Sequence, residues 1–142
     1  TVAMRKRGSS FTWHTATHEE AVDEKLGYQK EVFSFLSWAN QTFAEFIGML
    51  DNLKEGSGTV LDRTVVAWHT DHGDARTHSL ENIPVMTVGS GGGRLKTGMH
   101  IAAPGDPVAR VALTVQQAMG VAINTWGDRT NKTSKTITEI LA

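Results

Sequence analysis

Between positions 69 and 78 the chain places His69, Asp71, His72, Asp74 and His78, three imidazoles and two carboxylates. Imidazole nitrogen and carboxylate oxygen are the donors that borderline divalent cations take, and imidazole is the side chain that moves protons near neutral pH. This stretch is therefore the best candidate for a site of metal or acid/base chemistry. A plainer reading of the same residues stands beside it. Asp and Gly are ordinary turn residues after a strand, and His69 alternates with Trp68 in a way that suits a satisfied core histidine. Two further imidazoles, His14 and His18, stand four apart. On a helix they would share a face, but the threonines around them favour extended or turn structure.

The loop is framed by two apolar runs. Val65 to Trp68 is short and rich in β-branched residues, and Ile83 to Gly89 (IPVMTVG) follows the loop at once. Both read as buried strands. They are expected to be neighbours in one mostly parallel sheet. The connection is short for a crossover helix, so an indirect neighbour or a local antiparallel pair is the alternative. In open α/β sheets ligands bind beyond the carboxyl ends of the strands, which is where a loop after the first run would lie. The glycine cluster Gly89, Gly91, Gly92 and Gly93 fits neither the dinucleotide fingerprint nor the P-loop, because the glycine spacing is wrong and no Gly-Lys-Ser/Thr follows. A flexible loop crossing the sheet edge is the better reading.

Helices cover the rest. From about Glu20 to Lys54, Val32, Leu36, Ala39, Phe43, Phe46, Leu50 and Leu53 recur at alternating spacings of four and three, which lines them on one helical face. Gly27 is placed to break the first part, and Gly56-Ser57-Gly58 ends it. Thr59 to Arg63 reads as a turn in which Leu61 anchors while Asp62 and Arg63 stay wet. A second helix is expected from about Pro107 to Met119, capped by Asp106, with Arg110 its only charge and protein nearly all round it. Residues 1 to 18 read as irregular. In the polar tail, Ile137, Ile140 and Leu141 are expected to dock as a last short element.

The 142 residues are about 39% apolar, enough for one domain with a modest core. A net charge of −1 removes any global electrostatic case for nucleic acid or an anionic membrane. Arg5, Lys6 and Arg7 read as a solvated terminus. Without cysteine there are no disulfides and no thiolate metal ligands. No run approaches the roughly 20 apolar residues of a transmembrane span, no signal-peptide pattern opens the chain, and the start at Thr1 suggests that something upstream was removed or left out. Two strands cannot make a sheet that stands alone under two such apolar helices. The chain is therefore expected to be part of a larger α/β fold, with its Phe43, Phe46 and Leu50 face buried against strands from an upstream segment or another protein chain.

The succession HTATHE, MLDNLKEGSGTVLD, RTVVAWHTDHGDARTHSLENIPVMTVGSGGGRLKTGMH and VARVALTVQQAMGV with a later WGD resembles the C-terminal part of the HXXSHH family, bacterial proteins of unknown function. The likeness runs over nearly the whole chain. The motif for which that family is named aligns with His14 to Glu19, where threonine replaces its serine and glutamate its last histidine. The family in turn looks like a distant member of the alkaline phosphatase and sulfatase superfamily, whose members carry Asp-His-Gly after a core strand and a histidine downstream. Here these are Asp71, His72, Gly73 and His78. The resemblance implies that residues 1–142 are the C-terminal portion of one alkaline-phosphatase-like α/β domain, a three-layer sandwich completed by an upstream half, and that the protein is exported to the periplasm or beyond. It implies that Asp71 and His72 hold one divalent metal, zinc, manganese or calcium, and that His78 holds a second or orients substrate. His14, His18, His69 and Asp74 would support them. The expected activity is hydrolysis of phosphate or sulfate esters, and the alternative is a non-catalytic binding or structural subunit that keeps the fold. The catalytic nucleophile is unknown, because in the superfamily it comes from an early strand that this chain lacks.

Overall fold

The computed structural model describes Gly8 and residues 11–142, so Arg5, Lys6 and Arg7 lie outside the described residues. The described residues are mixed α/β, with four helices and two small antiparallel sheets. The elements are α1 (Trp13–Glu19), α2 (Lys30–Asn52), β1 (Lys54–Glu55), β2 (Gly58–Thr59), α3 (Val60–Arg63), β3 (Val66–His69), β4 (Val85–Val88) and α4 (Ala109–Ala118), followed by single 3-10 turns at Arg129–Asn131 and Thr138–Ile140. No helix among the described residues is long and apolar enough to cross a membrane.

The residues divide into two compact units. One is the chain up to Phe46 together with His72–Glu81, and the other is Ile47–Asp71 with Asn82–Ala142.

In the first unit, α1 takes the place of the irregular lead-in expected there. Thr12 is its N-cap, accepting the Thr15 N–H, and the Thr17 hydroxyl donates to His14 O at 2.7 Å. The threonine hydroxyls that argued against a helix are thus spent at its cap and along its own carbonyls. The long helix starts ten residues later than expected. Asp23 accepts the Lys25 and Leu26 N–H groups on its side chain, Asp23 N donates to Tyr28 O, and Gly27 sits at φ 75°. This closed turn competes successfully with helix over residues 23–28. The two helices then cap each other. The Gln29 side-chain amide donates to the carbonyls of Ala16, Thr17 and Glu20, while the Glu20 carboxylate accepts Glu31 N at 2.8 Å and Val32 N at 3.0 Å. Phe35, fully buried on α2, meets Trp13 edge-on at 5.6 Å and docks α1.

In the second unit, the turn at Gly56 and Ser57 closes the small β1–β2 hairpin, with Gly56 at φ 61°. What reads in the sequence as a turn at residues 59–63 is the one-turn helix α3, started by a capping box between Thr59 and Asp62. β3 and β4 are direct neighbours, as expected, but antiparallel, with Val66 opposite Val88 and His69 opposite Val85. The pair is thus the local antiparallel alternative, and not a parallel one. The 70–84 connection carries no helix to bring the chain back to the same end. α4 begins at Ala109 with Val108 at its cap and no side-chain capping bond. Asp106, expected there, instead pairs with Arg110. Leu113 and Thr114 are fully buried, and the tail docks on this helix. Ile137 N donates to Thr114 Oγ1 at 2.8 Å, and the Arg110 guanidinium donates to Thr136 O.

Candidate metal centre: four histidines on a helix and a loop

Four imidazoles of the first unit form one continuous cluster. His14 and His18 lie four apart on α1, so the helix sets them on one face, and their rings meet edge-on at 4.8 Å. His78 comes from the segment between β3 and β4. Its ring lies 5.1 Å from that of His18, and the two Nε2 atoms are 3.3 Å apart. His72 stacks on His78 at 4.9 Å with the planes 16° apart, and its Nδ1 is shut off from solvent. The order is His14, His18, His78, His72.

The loop that carries His72 and His78 is closed on itself. Gly73 N donates to Ser79 O at 2.9 Å, and Ser79 N donates to Asp74 O at 3.0 Å. The Asp74 carboxylate accepts Arg76 N at 2.9 Å. That backbone N–H, followed by the Thr77 hydroxyl and N–H, holds the Asp74 carboxyl below the usual carboxylate range. His78 adopts φ 54°, in the left-handed region that few non-glycine residues adopt, histidine being among the more frequent of them. A non-glycine residue held there points to a conformation fixed by its surroundings. Around it stand the imidazole rings of His18 and His72, and two residues before it the Arg76 guanidinium donates to Glu20 O at the end of α1.

Of the residues singled out in the sequence, the structure brings His14, His18, His72 and His78 together. Asp74 is in the same loop but serves as its turn cap. Asp71 and His69 belong to the second unit. His69 is exposed, with Nδ1 3.2 Å from Thr70 O, so it is not a core histidine. Among the described residues no group of three His, Asp or Glu side chains is arranged to hold a metal ion. By donor chemistry the cluster suits one, since neutral imidazole is the commonest protein ligand of zinc, copper and nickel. Sequence reasoning missed Gln29 and Arg76, which fix the helix and the loop. Each acts through a side-chain bond to a main-chain carbonyl, which leaves no pattern in the sequence.

The glycine run is built differently from an anion cradle. Gly91 N donates to Thr64 O, Gly92 N to Asp62 O and Gly93 N to Ser90 Oγ, so these three N–H groups are committed within the protein. A Cβ on Gly89 would fall 2.2 Å from Thr64 O, which is why that position is glycine. Gly89 and Ser90 border an open cleft of about 380 Å³ that Asp62 also lines.

The chain matches no protein-family model, no curated protein and no solved structure.

Proposed function

We propose that this chain is the C-terminal portion of an exported, alkaline-phosphatase-like α/β domain, a three-layer sandwich whose other strands come from an upstream segment or another chain. Its proposed activity is hydrolysis of phosphate or sulfate esters with divalent metal. One observation carries the reading: the loop after β3 stacks His72 of the Asp-His-Gly sequence directly on the downstream His78. In this reading Asp71 and His72 hold one ion and His78 belongs to a second. A bound divalent ion supplies charge stabilisation to the transferring phosphoryl or sulfuryl group. The chain's own loop holds the His72 and His78 rings within 16° of parallel and keeps the His72 Nδ1 away from water. A second reading, a non-catalytic binding or structural subunit, is favoured by the lack of a ready three-ligand group among the described residues.

Metal analysis of the purified intact protein, combined with His72→Ala, separates the two. The hydrolase reading expects the substitution to remove one bound metal and any esterase turnover together while the fold survives, because loop residues carry little core packing. If His72→Ala alters stability but neither metal content nor turnover, the protein is the binding subunit.

A further inference from the structure

A pair of imidazole nitrogens set at 3.3 Å is compatible with a shared proton, one nitrogen donating and the other accepting. It is equally the separation of two ligands on one tetrahedral ion. With metal–nitrogen bonds of about 2.05 Å and a tetrahedral angle between them, the nitrogens stand about 3.3 Å apart. The ring next to this pair is His14, on the same face of α1 as His18, in the i, i+4 arrangement by which one helix offers two imidazoles to one zinc.

We propose that His18 and His78, through their Nε2 atoms, are the preset pair of a transition-metal site to which exposed His14 adds a third nitrogen. His14 reaches the site by side-chain rotation, an event of picoseconds to nanoseconds for an exposed residue. Three histidines leave a fourth tetrahedral position open to water or an exogenous ligand. His72 keeps the His78 ring in its plane by stacking, and Gln29 and Arg76 fix the ends of helix and loop. The donor set is nitrogen throughout. The Glu20 carboxylate is spent on the start of α2 and Asp74 on its own turn. The site therefore selects zinc, copper or nickel over magnesium or calcium, which take oxygen. The left-handed φ of His78 has a purpose in this assignment, since it is the backbone conformation from which this imidazole reaches α1. The site shares His78 with the ester-hydrolase reading and goes beyond it, because its other ligands lie on α1 and neither Asp71 nor His72 is among them.

The test uses intact protein carrying Asp71→Asn and His72→Phe, which removes the donors of the ion assigned to those two residues while keeping an aromatic ring stacked on His78, and titrates it with zinc by calorimetry. One equivalent is expected to bind, to raise the melting temperature, and to weaken by at least about tenfold on adding His14→Gln, His18→Gln or His78→Gln. His100→Gln, a histidine outside the cluster, should change nothing. Cobalt in place of zinc should give the visible absorption of a tetrahedral site. His14→Gln changes only an exposed side chain, so its result stands even where His78→Gln disturbs the loop. Failure of the Asp71→Asn, His72→Phe protein to bind zinc, or binding indifferent to His14 and His18, overturns the site, while the ion assigned to Asp71 and His72 is read separately in the unsubstituted protein. Zinc held by the three histidines, with no esterase turnover in protein whose Asp71 and His72 are unchanged, keeps the site and removes the hydrolase.

Discussion

Asp62 and Thr59 show how single residues set local stability. Thr59 donates its backbone N–H to Asp62 Oδ2 at 2.7 Å and its hydroxyl to the same oxygen at 3.1 Å, while Asp62 N donates back to Thr59 Oγ1. These bonds, the backbone one first, hold the Asp62 carboxyl below its usual range. A carboxyl whose folded pKa is depressed stabilises the fold fully above its unfolded value and loses that contribution as pH falls through the lower folded value. In the intact protein Thr59→Ala should cost about 1 kcal/mol at neutral pH. Asp62→Asn should flatten the fall in melting temperature below roughly pH 4. An unchanged acid slope in Asp62→Asn would show that the capping box is not coupled to folding. Asp62 is also where residue-level reading fell short. Asp-x-x spacing after Thr59 is a capping-box signature, yet the stretch reads as a wet turn unless the helix it starts, only four residues long, is recognised.

At the scale of elements, Phe35 and Leu113 are comparable buried anchors in different units. Phe35→Ala should cost roughly 3–5 kcal/mol and Leu113→Ala roughly 2–5 kcal/mol. Phe35 also holds Trp13, hence α1 and its two imidazoles. Zinc affinity should therefore drop in Phe35→Ala and hold in Leu113→Ala, with denaturant unfolding run on both. Equal affinity losses would mean that α1 is not positioned by its dock on α2. The long helices were legible because their apolar periodicity is sustained over several turns, and the two strands because β-branched runs are bounded by turn residues. Strand direction was not, since four residues carry no sign of parallel or antiparallel pairing. α1 was hidden because helix propensity over HTATHE is poor, and what makes it helical is Thr12 at one end and Gln29, a side chain from beyond the helix, at the other. The histidine cluster was half legible: the residue types and the four-residue spacing stand in the sequence, but the approach of His78 to His18 depends on a loop closure that no periodicity encodes.

For the molecule as a whole, much apolar surface remains in water. Phe33, Trp38 and Phe46 on α2 are about half exposed, as are Trp68 and Met86, cross-strand partners on one face of the β3–β4 sheet. A surface that another segment or chain covers would present apolar area on this scale. The 142-residue chain on its own should bind a hydrophobic dye strongly and melt without a cooperative transition, and a sharp two-state transition of an isolated monomer would show that it needs no cover. The first compact unit, meanwhile, is discontinuous, its closing segment His72–Glu81 being set between two strands of the other. His18 and His78 are separated by 60 positions. At translation rates of about 5–20 residues per second, the second imidazole leaves the ribosome roughly 3–12 s after the first. In that interval the leading helix is a half-built clasp, its partner loop still unmade. A cut at either of the first two unit boundaries, after Phe46 or after Asp71, parts the histidines, and only a cut after Glu81 leaves all four on one piece.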